Sequence, residues 1–244
     1  RGRPFEPSYR VTPSSDRNIA GLLTIPHNHP STPGTHPGEE GEMMKQNEAD
    51  NTQQPKRYRV IYADPPWDIA QKGARGASQH YDVMSLERIK GMPIRDLADD
   101  NSTLLLWVTN AALPAGLEVM EAWGFRYVTN VVWDKYYIGL GNYFRGSHEI
   151  LLHGVRGKAP FKFHGQRSTL LFPRQDHSRK PEEMIPLIER VLDGPYLELF
   201  ARQRPNSHKD WSIWGNEVDS DITIPGYPVP SDFARQSGGG DQEV

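Results

Sequence analysis

The 244-residue chain contains no cysteine. Disulfide frameworks, zinc sites with thiolate ligands, iron–sulfur clusters and cysteine nucleophiles are therefore excluded. The sequence also lacks any apolar run near the roughly 18 to 20 residues that cross a bilayer, and it does not open with a basic and then apolar leader. These absences predict a protein without a membrane partner that works inside the cell, in the cytoplasm or, in a eukaryote, in the nucleus.

Aromatic residues are scarce in the first 56 positions, whereas all six tryptophans lie between residues 57 and 218. Residues 1–56 contain many prolines, glycines, histidines and small polar side chains without an apolar period, so they cannot bury enough surface to offset chain entropy. We predict a disordered linker over 1–56, one folded domain over 57–218 and a flexible acidic tail over 219–244. Within the tail, residues 222–229 are apolar enough to pack on the core.

Charge and histidine spacing identify no ligand. The predicted domain is slightly basic, which is compatible with nucleic acid and equally with an ordinary solvated surface. The linker histidines at positions 27, 29 and 36 are irregularly spaced, which favours a solvated segment over chelation. We predict no metal site.

Inside the predicted domain, β-branched and aromatic runs alternate with helical patterns, which is typical of an α/β fold with a mainly parallel sheet flanked by helices. Pro181 stands where a helix begins, although Pro186 would bend that helix. The predicted strands are 58–63, 103–108, 125–133, 149–155, 169–172 and 196–200, with 211–214 as a last strand or a packed turn. The predicted helices are 85–90, 94–98, 113–123 and 181–192.

The tetrapeptide Asp64-Pro65-Pro66-Trp67 follows the first predicted strand. An acid in this position lies in the crevice beyond the strand ends, where open α/β sheets bind ligands. The prolines fix the backbone and leave carbonyl acceptors, while the tryptophan offers a flat face to a planar ring. Acceptors beside a stacking surface suit a planar ring that carries an exocyclic amine; a strand-ending turn with a buried tryptophan is the simpler alternative.

Further short motifs follow the tetrapeptide in a fixed order, and together they resemble the adenine methyltransferases of the MT-A family, which are related to the seventy-kilodalton subunit of the messenger-RNA adenosine methyltransferase. The resemblance covers nearly all of residues 57–218. Besides Ala63-Asp64-Pro65-Pro66-Trp67, its motifs are Tyr81-Asp82-Val83-Met84-Ser85, Leu106-Trp107-Val108, Trp123-Gly124-Phe125, Trp133-Asp134-Lys135, His177-Ser178-Arg179-Lys180-Pro181-Glu182-Glu183, Leu197-Glu198-Leu199-Phe200-Ala201-Arg202 and Trp214-Gly215-Asn216-Glu217.

The resemblance implies a Rossmann-like fold that transfers a methyl group from S-adenosylmethionine to the 6-amino group of adenine in nucleic acid. The catalytic residues are then Asp64, Pro65, Pro66 and Trp67. The Asp64 carboxylate and the Pro65 carbonyl would accept the two amine hydrogens, and Trp67 would stack on or wall in a base that has been flipped out of its duplex. Tyr81, Lys135 and Trp67 are the implied substrate-binding residues, with a surface tyrosine as the alternative for Tyr81.

The implied cofactor-binding residues are Asp64, Lys180, Glu198, Arg202, Asn216 and Glu217. Lys180 would meet the methionine carboxylate, and Glu198 would accept hydrogen bonds from the ribose hydroxyls. Arg202 and Asn216 would complete the ribose and adenine ends. A solvated Lys180, a turn-capping Asn216 and an ion pair between Glu198 and Arg202 are the structural alternatives.

Two further segments are candidates for contact with nucleic acid. Residues 70–79 are small, glycine-bearing and basic, as in a loop that orders over substrate or in plain disordered surface. Cations and phenylalanines alternate between 144 and 167, where they would follow a phosphate backbone or form ordinary surface. That second set comprises Phe144, Arg145, Arg156, Lys158, Phe161, Lys162, Phe163, His164 and Arg167.

Three functional interpretations remain open at this stage. The compact domain, in which no helical extension or zinc-finger module precedes the motifs, resembles prokaryotic or phage members, and this favours DNA over RNA as the substrate. A catalytically silent scaffold of the same fold and a cytosine-amine methyltransferase are the alternatives. Ala201 departs from the family pattern, which often has glycine there, and would narrow the cofactor pocket. A homodimer or a partner subunit is compatible with all three.

Overall fold

The computed structural model describes residues 56–68, 83–139, 143–173 and 179–237. The predicted linker up to residue 55, the predicted loop 70–79 and Tyr81 lie outside the described residues. Within them, seven strands form one sheet in the order β5-β3-β4-β2-β1-β6-β7. In this part of the chain no helix has the length and apolar character required to span a membrane.

The sheet is mixed but mostly parallel, as the sequence predicts. Strand β1 pairs in parallel with β2 and β6, β6 with β7, and β3 with β5, while β4 runs antiparallel between β2 and β3. The strands are β1 Tyr58–Ala63, β2 Ala98–Val108, β3 Arg126–Asp134, β4 His148–Arg156, β5 Thr169–Leu171, β6 Tyr196–Leu199 and β7 Trp211–Trp214.

Helices cover both faces of the sheet, so its central strands are continuous apolar runs. One face, with Ile61, Leu104 and Leu106, packs against α1 and α3, and the other, with Val60 and Leu105, packs against α4. The helices are α1 Leu86–Lys90, α2 Ile94–Leu97, α3 Leu113–Ala122, α4 Met184–Val191 and α5 Pro230–Ser237.

The topology brings the carboxyl ends of six strands to one edge of the sheet. Strands β1, β2, β6 and β7 are parallel, β3 shares their direction because both β2 and β3 oppose β4, and β5 is parallel to β3. Asp64 directly follows β1, and the turn between β3 and β4 lies at the same edge. We call this edge the carboxyl edge of the sheet.

The helix predicted over 181–192 is shorter than expected. Residues 181–183 form a turn in which the Pro181 carbonyl accepts from the Met184 N–H at 3.1 Å, and α4 begins only at Met184. Pro186 therefore lies in the first turn of α4, where its missing N–H has no intrahelical partner to lose. A start at Pro181 would have put Pro186 in the helix interior, where it costs a hydrogen bond and causes a clash.

The structure confirms that residues 222–229 pack on the core, but it contradicts a flexible tail over residues 219–237. Ile224 and Val229 are buried in the same core cluster as α1 and α3, and residues 230–237 form α5. Arg204 holds this segment through Asp221, whose carboxylate also accepts from the Ile213 N–H. One of the acids of this segment is itself buried: Asp232 accepts hydrogen bonds from the Thr223 hydroxyl and the Val229 N–H, and so helps to hold the segment in place.

Candidate active site

The Asp64-Pro65-Pro66-Trp67 tetrapeptide makes a tight turn at the carboxyl edge. The Trp67 N–H donates to the Pro65 carbonyl at 2.9 Å, and the Pro66 carbonyl accepts from the Met84 N–H at 2.9 Å. The half-buried Trp67 indole donates to the Trp107 carbonyl at 3.0 Å. Neither proline has an N–H that needs a hydrogen-bond acceptor, and their rings restrict the backbone. The turn is therefore rigid, and both proline carbonyls accept hydrogen bonds.

Asp64 takes part in an ion network with three other side chains. Lys180 Nζ lies 2.5 Å from Asp64 Oδ2 and 3.3 Å from Glu149 Oε2, and Lys135 Nζ pairs with Glu149 Oε1. The Lys180 and Glu149 side chains are only 14% and 13% exposed. Two cations and two carboxylates thus alternate along the carboxyl edge in a setting where removal of one partner would leave a buried charge.

Tryptophan rings lie beside both cations of this network. Lys180 Nζ is 5.5 Å from the centroid of the Trp107 ring, and Lys135 Nζ is 4.9 Å from that of Trp133. The two indoles meet edge to face, and the Trp107 N–H donates to the Tyr62 hydroxyl at 2.8 Å. These rigid rings restrict where the ammonium groups can lie and contribute cation–π attraction.

The network sets the protonation of its members unequally. Burial raises the pKa of Asp64 above its usual value, and the attraction of Lys180 offsets only part of this effect. Burial alone would raise the pKa of Glu149, but Lys180 and Lys135 together lower it. Burial alone would lower the pKa of Lys180, but Asp64 and Glu149 raise it. Glu149 is therefore the firmly ionised acid, and Asp64 is the one most easily protonated.

Sequence reasoning missed Glu149, although a signal was present. Glu149 stands at the start of a strand whose following residues are apolar, the same pattern that identified Glu198. A carboxylate that enters an apolar strand needs a partner. Its partners, Lys135 and Lys180, are 14 and 31 residues away in sequence, so only the fold brings the three together.

Glu198 lies on β6 opposite Tyr62 of β1 and Ile213 of β7. Burial, followed by repulsion from Asp64, raises the pKa of Glu198 to about 8. Within the part of the chain that the structure describes, no hydrogen bond or ion pair reaches this carboxyl group. The expected alternative partner, Arg202, lies 3.7 Å from Glu217 instead.

A strained turn follows Glu198 at the carboxyl edge. Phe200 has φ +62°, a backbone conformation that costs energy in a bulky residue. Ala201 is buried, and its backbone lies so close to Gly215 that a Cβ on Gly215 would meet the Ala201 carbonyl oxygen at 2.1 Å. Gly215 is therefore the position in this turn that needs a glycine. The Ala201 side chain is accommodated in the core.

The remaining predicted site residues fall into three groups. Asn216 and Glu217 are exposed just after β7, at the same edge as Glu198. Lys135 follows β3 at this edge and belongs to the ion network. Tyr81 lies outside the described residues.

The basic and aromatic set between 144 and 167 is divided between the two ends of the sheet. Phe144 and Arg145 belong to the turn between β3 and β4 at the carboxyl edge. Lys162 instead bonds to Asp193, which precedes β6, and Phe163 lies against Arg190 of α4. A single continuous surface made of the whole set is therefore excluded.

The arrangement can hold an amine and a nucleoside-like cofactor. A partly buried Glu198 without a hydrogen-bond partner among the described residues, beside the exposed Asn216 amide and the tight turn at Gly215, fits a ribose, whose two hydroxyls would satisfy the carboxyl group. S-Adenosylmethionine carries such a ribose, so the residues present fit this cofactor. Among residues 56–68, 83–139, 143–173 and 179–237, no cluster of three or more potential metal ligands occurs.

Comparison with known proteins agrees with this geometry. A profile of the MT-A70 family matches residues 58–217. The chain is 31% identical over 194 residues to the Type II methyltransferase M.MunI of Mycoplasma sp, an alignment that covers 70% of this chain and 82% of that protein.

Eukaryotic proteins give alignments of similar identity over a smaller share of their length. The chain is 31% identical to a probable N(6)-adenosine-methyltransferase MT-A70-like of Oryza sativa subsp. japonica and 30% identical to the N(6)-adenosine-methyltransferase catalytic subunit METTL3 of Homo sapiens. Each alignment covers 67% of this chain, but only 23% and 28% of the respective relatives. The chain belongs to the MT-A70 family, and its sheet with flanking helices is the Rossmann-like fold of these S-adenosylmethionine-dependent methyltransferases.

Proposed function

We propose that this chain transfers a methyl group from S-adenosylmethionine to the 6-amino group of adenine in DNA. The observation that carries the proposal is the position of Asp64: a partly buried carboxylate, held by Lys180, at the carboxyl edge of an MT-A70 domain. The turn that follows it presents two proline carbonyls beside a pinned tryptophan. A turn that offers both hydrogen-bond acceptors and an aromatic ring face suits a ligand that is a planar ring with an exocyclic amine.

The amine must be made nucleophilic, because its lone pair is delocalised into the adenine ring. Hydrogen bonds from both of its hydrogens would let the nitrogen pyramidalise and aim the lone pair at the methyl group. In the described part of the chain, Asp64 Oδ1 receives no hydrogen bond, so it is available as one acceptor. The Pro65 carbonyl has one lone pair engaged by Trp67 and a second one free for the other hydrogen.

The nitrogen loses one proton as its new bond to carbon forms, and the Asp64 carboxylate would accept it. Burial already raises the pKa of this carboxyl group, which favours proton uptake. Lys180 would hold the carboxylate in place before transfer, and Glu149 would keep Lys180 protonated.

When bound, S-adenosylmethionine supplies the methyl group from its sulfonium. Glu198 would bind the ribose, while Arg202, Asn216 and Glu217 would contact the rest of the nucleoside. Contact between Lys180 and the methionine carboxylate stays a prediction, since that lysine already balances two carboxylates.

Coverage of the relatives supports DNA as the polymer. The type II methyltransferase, a designation used for DNA modification enzymes, is covered over 82% of its length, whereas the N(6)-adenosine-methyltransferases are covered over about a quarter. In a bacterium such as the Mycoplasma source of that relative, a DNA substrate would place the activity in the cytoplasm. The human relative is named as a catalytic subunit. By analogy, this chain would work with a second subunit or as a homodimer.

The test is methyl transfer from labelled S-adenosylmethionine to four matched oligomers: single- and double-stranded DNA and RNA, each with an adenine-free control. We expect adenine-dependent label on DNA from wild type and none from Asp64→Ala. Asp96→Ala, which removes an exposed acid on α2, is the matched control and should label DNA as wild type does. Label on RNA alone would reverse the choice of polymer. No label on any oligomer, from a folded protein that binds the cofactor, would contradict the proposal and favour a silent scaffold or a missing subunit.

A further inference from the structure

Four exposed aromatic side chains lie in the turn between β3 and β4. Tyr136 and Tyr137 are 69% and 67% exposed, and Tyr143 and Phe144 are 98% and 91% exposed. We call these four residues the aromatic segment. Single exposed apolar residues are ordinary, but four rings in one turn form a patch of the kind that marks an interaction surface.

The aromatic segment lies at the same edge of the sheet as Asp64. It begins directly after Lys135, which is joined to Asp64 through Glu149 and Lys180. Strand β3 is three strands away from β1 in the sheet order, which corresponds to about 14 Å at a strand spacing of about 4.8 Å. That span equals about four nucleotide rises of 3.4 Å.

Local hydrogen bonds hold the segment in shape. The Tyr136 N–H donates to Asp134 Oδ1 at 2.9 Å, and Tyr136 has φ +70°. The Gly139 N–H donates to the Gly146 carbonyl at 2.7 Å, so the turn continues the β3–β4 hairpin. The Tyr136 and Tyr137 rings are tilted by 57° with centroids 6.3 Å apart, which leaves ring faces uncovered by parallel stacking.

On the basis of the proposed function, we propose that the aromatic segment stacks on unpaired bases of the strand that carries the target adenine, a few nucleotides from it. Exposed aromatic rings beside cations are the recurring means of binding single-stranded nucleic acid without sequence preference. Arg145, exposed next to Phe144, supplies a cation beside these rings. Continuity with the site favours nucleic acid over a protein as the occupant, because the aromatic segment and the Asp64 turn lie at one edge of the sheet, along which a bound strand can run.

The test compares two single-stranded DNA oligomers that share one central adenine. One has eight thymines on each side and the other has two, so only the longer can reach the aromatic segment. Fluorescence anisotropy with S-adenosylhomocysteine present gives the Kd of each for wild type and for Tyr143→Ala/Phe144→Ala. Phe163→Ala, an exposed ring against α4 at the opposite end of the sheet, is the matched control.

We expect the double variant to bind the long oligomer at least about tenfold more weakly, while its Kd for the short oligomer and its thermal midpoint stay unchanged. The Phe163 variant should bind both oligomers as wild type does. A double variant with the wild-type Kd for the long oligomer would overturn the inference, even if methyl transfer is intact. So would a change in oligomeric mass of the double variant without a change in Kd, which would identify the segment as a protein interface. Absence of methyl transfer by wild type would contradict only the proposed function.

Discussion

Glu198→Gln should make the protein less sensitive to high pH and worse at binding its cofactor. The pKa of Glu198 rises from 4.5 to about 8 on folding because burial disfavours the charged form. The folded chain therefore keeps a proton that the unfolded chain releases above about pH 4.5. Stability from this group is fully present below that pH and is lost as the pH rises through about 8.

The magnitude follows from the same pKa. Since one pKa unit corresponds to about 1.4 kcal/mol, ionising Glu198 in the folded protein costs up to about 5 kcal/mol. Glutamine has nearly the same shape and does not ionise. We therefore expect equal free energies of unfolding for the variant and wild type near pH 4.5, and a variant more stable by several kcal/mol at pH 9.

Urea unfolding of the cofactor-free protein at intervals between pH 4.5 and 9 measures this difference. Glu121→Gln, at an exposed acid on α3, is the matched control and should follow the wild-type curve. Calorimetry of S-adenosylmethionine binding to the same proteins should give a Kd about tenfold weaker for Glu198→Gln alone. A variant whose stability parallels wild type over the whole range would refute the reasoning from burial. One that also binds the cofactor normally would remove Glu198 from the site.

Three further predictions test the site and the fold. Glu149→Gln removes one of the two carboxylates that raise the pKa of Lys180. The alkaline limb of the pH–rate profile should therefore move to lower pH, and Glu149→Asp should partly restore it. An unmoved limb would contradict this positioning role of Glu149. Gly215→Ala places a Cβ 2.1 Å from the Ala201 carbonyl oxygen and should cost about 3 kcal/mol in urea unfolding, whereas a wild-type curve would show that the turn adapts freely. Ile224→Ala should lower the free energy of unfolding by about 3 kcal/mol, and an unchanged free energy would contradict the packing of this segment on the core.

Local sequence patterns predict much of the fold. Continuous apolar runs identify the central strands within one or two residues at most ends, and Gly124, with φ +83°, ends α3 as expected of a helix-terminating glycine. The start of α4 could not be read in this way, because two prolines five residues apart each allow a helix start. In the structure residues 181–183 form a turn, closed by the hydrogen bond from the Met184 N–H to the Pro181 carbonyl, and the helix begins after it.

The site is predictable only in part, for a similar reason. Asp64 and Glu198 can be found from sequence because each is an acid beside an apolar strand. The link between Asp64 and Lys180 spans 116 residues, and Glu149 joins it from β4. No local pattern encodes such a network. The antiparallel insertion of β4 between β2 and β3 brings Glu149 to the carboxyl edge.

The central claim is that Asp64 serves methyl transfer to the adenine amine, and nucleoside analysis of the product tests it most directly. Duplex and single-stranded DNA are incubated with S-adenosylmethionine and wild type or Asp64→Ala, then digested and separated by mass spectrometry. The account predicts N6-methyladenine with wild type, none with Asp64→Ala, and cofactor binding by that variant within a few-fold of wild type. Methylated cytosine in place of adenine, or wild-type turnover by Asp64→Ala, would contradict it.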